Sequence, residues 1–114
     1  MSLAEQKCIP CRGGIPRMAK DRVEALLQEL DDGWRLNANG HLERAYAFDN
    51  FAQAMAFANK VAGVAEDEGH HPDLHIAWGK CTVKIWTHKI RGLTESDFYF
   101  AAKADRAFKT TDKS

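Results

Sequence analysis

Long apolar runs and an excess of one charge are both missing from this chain. Its 114 residues include 16 Lys and Arg and 16 Asp and Glu, so the formal net charge is zero. Proteins that bind nucleic acid usually carry a surplus of basic residues to neutralise phosphates, so we expect no nucleic-acid partner. No apolar run approaches the roughly 20 residues that a membrane-spanning helix needs, so we expect no membrane partner either.

Cysteine is scarce as well, with only Cys8, Cys11 and Cys81 in the chain. An odd number of cysteines, without an apolar leader at the N-terminus, suggests a reducing compartment, and we expect a cytoplasmic protein. The Cys8-x-x-Cys11 pair is compatible with half of a zinc site or with a redox pair. A zinc ribbon needs a second pair, and a thioredoxin-like motif needs a preceding strand. We therefore favour a structural or incidental role, with metal binding between subunits as the minor alternative.

The order of secondary-structure patterns predicts the fold. Residues 1–17 contain two of the three prolines, which predicts a turn-rich arm ahead of a single domain over residues 18–112. Hydrophobic periodicity predicts helices over residues 18–30, 51–67 and 95–108. It predicts strands over residues 34–37, 41–48, 74–78 and 81–88. The order α-β-β-α-β-β-α favours an α+β fold, with a four-stranded antiparallel sheet and three helices packed on one face.

The second predicted helix has an unusually wide apolar surface. Its apolar residues cover about half of the circumference, which is more than one sheet contact requires. The excess around Phe57 and Val64 predicts a second buried contact, which we attribute to another subunit.

Four of the five histidines lie between Glu66 and His88. His70 and His71 follow the predicted helix end at Gly69 and precede Pro72, which restricts His71 to extended backbone angles. Imidazole gains and loses a proton near neutral pH, so the adjacent pair indicates an acid–base site. The alternative is a helix C-terminus at which histidines satisfy free carbonyl groups, and the residues alone favour neither.

His88 gains interest from its predicted neighbours. A hairpin that turns at Gly79-Lys80 would bring His71 and His88 opposite each other across the ladder. Three histidines could also bind zinc, but adjacent histidines rarely chelate one metal and no further ligand is clearly placed, so we expect no metal. His75 is out of phase with its apolar neighbours and is expected at the surface or the rim of the site. His41, beside a predicted turn, is expected to have no role.

The spacing of these residues resembles the signature of the pterin-4a-carbinolamine dehydratases. The matching run is Glu66-x3-His70-His71-Pro72-x5-Trp78-x9-His88-x8-Asp97. Gly33-Trp34 after the first helix and Gly92-Leu93-Thr94 before the last also match, so the resemblance covers most of the chain. One departure is Gly69, where an acidic residue often precedes the histidine pair.

The resemblance implies the same fold and a specific reaction. Members dehydrate 4a-hydroxytetrahydropterin to quinonoid dihydropterin, without metal or cofactor, in recycling the pterin cofactor of aromatic amino acid hydroxylases. They form homodimers or homotetramers. Carried over by position, the resemblance implies that the catalytic residues are His70, His71 and His88. It implies that the nearby or supporting residues are Trp34, Glu66 and Asp97.

Two further expectations accompany the resemblance. Backbone groups from Asp73 to His75 are candidates to bind the edge of the pterin ring. The alternative function is a non-catalytic protein-binding or dimerisation module, because the same fold also serves in that way.

Overall fold

The fold is a four-stranded antiparallel sheet with three helices on one face, which confirms the predicted α+β class. The structure, a computed structural model, describes residues 3–6, 8 and 18–110. Its helices are α1 (Lys20–Glu29), α2 (Phe51–Glu68) and α3 (Glu95–Thr110). Its strands are β1 (Arg35–Leu36), β2 (Leu42–Ala47), β3 (Asp73–Ala77) and β4 (Lys80–Ile85). None of the described helices is long and apolar enough to cross a membrane.

The two hairpins join through their second strands. The spatial order is β1-β2-β4-β3, so β3 is an edge strand and β4 is central. Leu42 of β2 lies opposite Ile85 of β4, and both side chains are fully buried on the helix side. The next pair, Glu43 and Lys84, points to the other face. The period-two pattern in the sequence therefore identifies the covered face correctly.

Helix α2 begins and ends where the sequence predicts. The Asn50 side chain caps it by accepting a hydrogen bond from the backbone N–H of Gln53 at 2.9 Å. Gly69 ends it in the left-handed region, with φ of 63°, which glycine adopts without steric cost.

The predicted subunit contact around Phe57 is wrong. Phe57 is fully buried within the chain, where its ring lies 4.4 Å from that of Tyr46, 5.4 Å from Phe48 and 5.9 Å from Phe108. Val64 is partly buried against the same core. The apolar surface of α2 is wide because both the sheet and α3 cover it.

The register of the second hairpin also differs from the prediction. Ala77 pairs with Lys80, so the turn residues are Trp78 and Gly79 rather than Gly79 and Lys80. Gly79 has φ of 72°, and a Cβ on it would lie 3.1 Å from the carbonyl oxygen of Phe48. The left-handed angle and this close approach both place glycine at the second turn position.

Strand β4 ends at Ile85, three residues before the predicted end. His88 begins a short 3₁₀ turn, His88–Ile90, and is not a strand residue. The Thr87 N–H donates to the Gly92 carbonyl at 2.8 Å, and the Gly92 N–H donates back at 3.4 Å. This pair of bonds closes a loop and directs the chain out of the sheet.

The described part of the N-terminal arm packs on α2 and α3. Lys103 donates to the Ala4 carbonyl at 2.8 Å, and the Cys8 N–H donates to Glu68 at 2.9 Å. Burial, followed by the nearby Glu68 charge, raises the pKa of the Cys8 thiol to about 12, so it stays protonated at neutral pH. Cys11 lies outside the described residues, and so does any pairing between these two cysteines.

A polar cluster around Asp105 joins α3 to the first hairpin. Its carboxylate accepts hydrogen bonds from Tyr46 Oη at 2.6 Å, Arg44 Nη1 at 2.8 Å and Trp34 Nε1 at 3.0 Å. Burial raises the pKa of Asp105, and these three donors act in the opposite direction. The charge is therefore kept inside the protein only because it is well paired.

We expect Asp105→Ala to lower the free energy of unfolding by about 3 kcal/mol, because Arg44, Tyr46 and Trp34 would lose a shared partner. Urea unfolding followed by tryptophan fluorescence would measure the loss. Arg106→Ala, at the exposed neighbouring position, is the control and should change stability by less than about 0.5 kcal/mol. Equal stabilities for the two variants would contradict a stabilising role for the cluster.

Candidate active site

Three of the predicted histidines line one cleft. His70 and His71 follow Gly69, which ends α2, and His88 lies in the 3₁₀ turn after β4. The cleft has a volume of about 300 Å³ and is lined by Gly69, His70, His71, Pro72, Asp73, Thr87, His88 and Lys89. This volume lies at the lower end of the range for small-molecule sites, roughly 300–1,000 Å³. His88 reaches the cleft through the turn after β4. It does not pair with His71 across the ladder, although the sequence predicted that pairing.

His70 is held by a buried carboxylate. Its Nε2 lies 2.6 Å from Asp97 Oδ1, with the Asp97 side chain fully buried and that of His70 only 11% exposed. Asp97 Oδ2 accepts from the Thr87 hydroxyl and from the Thr94 N–H, both at 2.8 Å. A carboxylate with two other donors accepts a third, so Nε2 carries the proton and Nδ1 of the neutral ring is an acceptor.

Asp97 also fixes the start of α3. Its bond to the Thr94 N–H is one half of a capping box. Its bond to Thr87 reaches the residue just before His88. One carboxylate therefore ties the loop after α2, the turn after β4 and the start of α3 together.

His71 has a different environment. Its Nε2 lies 2.5 Å from Glu66 Oε2, and both side chains are mostly exposed, at 61% and 76%. An exposed ion pair contributes little to stability, about 0–1 kcal/mol, so the pair is not needed to hold the fold. The contact instead orients the ring by giving one nitrogen a fixed acceptor.

His88 is exposed and is oriented by ring stacking. Its imidazole lies 4.2 Å from the Trp86 ring, with an angle of 14° between the planes. The opposite face of Trp86 stacks on His41, at 4.1 Å and 6°. His41 was expected to have no role, and the structure places it in this three-ring stack.

The supporting residues implied by the resemblance do not all lie near the cleft. Asp73 lines it, and the exposed His75 pairs with Thr82 on the face of the sheet away from the helices. Trp34 is 4% exposed and its indole N–H donates to Asp105. Asp105 lies eight residues after Asp97, which is a rise of about 12 Å along α3. The structure thus brings Glu66, Asp73 and Asp97 to the histidines, and it places Trp34 in the Asp105 cluster.

Two cleft residues, Thr87 and Lys89, were missed from the sequence. Both flank His88, and a predicted strand over residues 81–88 gave no reason to expect a turn there. The hydroxyl of Thr87 could have been noticed, because a small polar residue beside a site histidine is a candidate partner for a buried carboxylate. Among the described residues, no three His, Cys, Asp or Glu side chains lie together as a metal site would require.

Comparison with known proteins identifies the family. The model of the pterin 4 alpha carbinolamine dehydratase family matches residues 16–107. The chain belongs to the pterin-4-alpha-carbinolamine dehydratase family. This confirms the resemblance found in the sequence, and with it the prediction of a dehydratase, a lyase that acts on a pterin.

Curated relatives in this family match over most of their length. A proposed pterin-4-alpha-carbinolamine dehydratase of Rickettsia bellii (strain OSU 85-389) is 57% identical over 91% of this chain and 92% of its own. One from Rickettsia canadensis (strain McKiel) is 55% identical, over 90% of this chain and 94% of its own. One from Alkaliphilus metalliredigens (strain QYMF) is 46% identical, over 92% and 95%.

Solved structures show the same pterin dehydratase fold. A protein described as a transcriptional coactivator/pterin dehydratase from Brucella melitensis superposes with a TM-score of 0.75 and 29% identity, over 81% of this chain and 98% of its own. A pterin dehydratase-like protein identified as a RuBisCO assembly factor in the alpha-carboxysome gives 0.56 and 25%, over 66% and 88%. The family fold is therefore also found in a protein that is described by an assembly role.

We expect the Asp97 contact to determine the tautomer of His70. At a pH where the imidazole is neutral, ¹⁵N NMR should show a protonated Nε2 and an unprotonated Nδ1. Asp97→Asn, which offers a donor as well as an acceptor, should remove this preference, whereas Asp67→Asn on the exposed surface of α2 should leave it. A wild-type ring protonated at Nδ1 would contradict the assignment.

Proposed function

We propose that this protein dehydrates 4a-hydroxytetrahydropterin to quinonoid dihydropterin by histidine acid–base catalysis. The observation that supports this most is the meeting of His70, His71 and His88 around one cleft. Family membership supports the pterin substrate. The proposed reaction needs no cofactor, because imidazole groups alone supply the proton transfers that it requires.

The reaction moves two protons. The C4a–O bond breaks as the hydroxyl group accepts a proton and leaves as water. A ring nitrogen loses its proton, and that electron pair forms the new double bond to C4a. The site must therefore offer one protonated and one unprotonated group at the same time, which histidines achieve near neutral pH.

His71 and His88 are our candidates for the acid and the base. Both line the cleft and both are exposed to solvent, so each can recover its protonation state between turnovers. Glu66 orients the His71 ring through Nε2, so Nδ1 is left for the substrate. The assignment does not depend on which of the two donates and which accepts.

His70 is better suited to orient the substrate than to exchange protons. It is nearly buried and its Nε2 is engaged by Asp97. Its Nδ1 would then accept a hydrogen bond from the 4a-hydroxyl group. This bond would hold the leaving oxygen in position for the acid.

The edge of the pterin needs donors and acceptors, which the start of β3 can supply. Asp73 lines the cleft and begins β3. Strand β3 pairs with β4 on one side, and on its other side it has no strand partner among the described residues. We propose that backbone groups from Asp73 to His75 bind the ring there, since an unpaired edge presents N–H and C=O groups. We propose that the product, a quinonoid dihydropterin, is then reduced in tetrahydropterin recycling, beside an aromatic amino acid hydroxylase in the cytoplasm.

His71→Ala and His88→Ala should each lower kcat by about 100-fold or more, because each removes one proton-transfer group. Stopped-flow absorbance of freshly generated 4a-hydroxytetrahydropterin would measure the rate. Asp67→Ala, one residue from Glu66 and exposed, is the control and should match wild type.

Turnover within a few-fold of wild type in either histidine variant would contradict the assignment. Wild-type decay no faster than the uncatalysed reaction would remove the proposed function altogether. It would instead favour a protein-binding module on the same fold, as the assembly role of the carboxysome relative illustrates.

We also propose that the chain forms homodimers or homotetramers. The support is now family membership together with two exposed aromatic side chains, Trp78 at 74% and Phe51 at 47%. Light scattering at micromolar concentration should give two or four times the 12.8 kDa of one chain. A monomer at that concentration would contradict this proposal and leave the cleft unaffected.

A further inference from the structure

His88 is the least constrained of the three histidines by polar contacts. Within residues 3–6, 8 and 18–110, no hydrogen bond holds its imidazole, and the side chain is exposed. His70 and His71, by contrast, each have a carboxylate partner. Among the described residues, the stacking on Trp86, with 4.2 Å between ring centroids, is the contact that fixes the plane of the His88 ring.

The position of Trp86 is set by the sheet. Leu42 pairs with Ile85, so the next residues outward, His41 and Trp86, lie opposite each other and point away from the helices. Their rings are almost parallel, at 6°, and 4.1 Å apart. Trp86 is thus held between His41 on one face and His88 on the other.

His41 is itself fixed by the turn of the first hairpin. Its N–H donates to Asn37 Oδ1 at 3.1 Å, and its carbonyl accepts from the Asn37 N–H at 2.9 Å. The same Asn37 side chain accepts from the Asn39 N–H at 2.9 Å. The far side of the stack therefore rests on a rigid turn.

We propose that Trp86 is a positioning residue for His88, and that His41 holds Trp86 in place from its opposite face. The inference rests on the proposed function, in which His88 transfers a proton. Trp86 is not among the residues that line the cleft, so it acts through His88 and not by touching the substrate.

The physical reason lies in the shape of the contact. A flat ring against one face of an imidazole prevents it from tilting, while both ring nitrogens stay accessible at its edge. An indole face also attracts a cation, so it tolerates His88 in either protonation state. Burial lowers the pKa of His41 below its ordinary value, while the charge of Asp97 acts in the opposite direction; the net direction favours the neutral ring on this face of the indole.

The first test measures the position of His88 in the resting protein. In ¹H NMR, the His88 ring protons should lie upfield, because they sit over the face of the indole. Trp86→Leu should move these signals downfield, and Trp86→Phe should retain most of the upfield shift. His41→Ala should broaden the signals of the His88 ring protons. Asp67→Ala, at an exposed position of α2 away from the stack, is the control and should change nothing.

The second test measures whether this position matters for the reaction. Trp86→Leu should lower kcat about tenfold with KM changed less than about twofold, because a catalytic group displaced by a fraction of an ångström loses alignment. Trp86→Phe should recover most of kcat. In the His88→Ala background, Trp86→Leu should cause almost no further loss, since two residues that act through one group are not additive.

The outcomes separate this inference from the proposed function. Inactive wild-type protein would remove the function, and the NMR comparison would then decide the positioning by itself. Unchanged His88 protons in Trp86→Leu would overturn the inference at any level of activity. An equal loss of kcat with and without His88 would also overturn it, because Trp86 would then act by another route.

Discussion

The bond between His70 and the fully buried Asp97 carboxylate is the interaction on which the cleft depends. An unpaired charge in that position would be costly, so the surrounding chain has to supply donors. It supplies three, and they come from the loop after α2, from Thr87 and from the start of α3. The requirement to satisfy one carboxylate therefore fixes the relative positions of the segments that carry the histidines. The core on the helix side holds these segments near each other, and Asp97 sets them in register.

The three histidines share a cleft and have three different kinds of support. His70 has a buried carboxylate, His71 has an exposed one, and His88 has an aromatic ring. The strength of each constraint follows from its exposure, because solvent weakens a charged contact and leaves ring stacking largely intact. The residue with the firmest polar contact is suited to hold a substrate group. In the proposed reaction, the two residues closer to solvent are the ones that exchange protons.

Much of the fold was predictable because its signals are local. The helix end at Gly69 and the order of the helices and strands each depend on short stretches of neighbouring residues, and the structure agrees with both. The turn of the second hairpin was misplaced by one residue, which shifts every pairing by two residues, because the turn depends on the contact between Gly79 and the distant Phe48 carbonyl. Phe57 was misread for the same reason. Its apolar surface indicated a second buried contact, and sequence periodicity cannot say that the contact is made by α3.

That three histidines of the candidate site meet in one cleft was predictable from the sequence, whereas the contacts around them were less so. Motif spacing identified His70, His71 and His88, and no periodicity indicates that Trp34 bonds to Asp105 or that His41 stacks on Trp86. Both contacts join residues at least 45 positions apart in the chain, as the sequence numbers show. The direction of a side chain at such positions depends on packing and on the hydrogen bonds that buried polar groups require.

The loop that carries His88 is closed by reciprocal backbone bonds between Thr87 and Gly92. Only four residues lie between these two bonded positions, and one of them, Arg91, has a left-handed φ of 52°. An inserted or deleted residue would have to rotate His88 away from Trp86 or break the closure. Over evolutionary time the length of this segment is therefore constrained by the closure. Length variation among related chains should fall outside this loop.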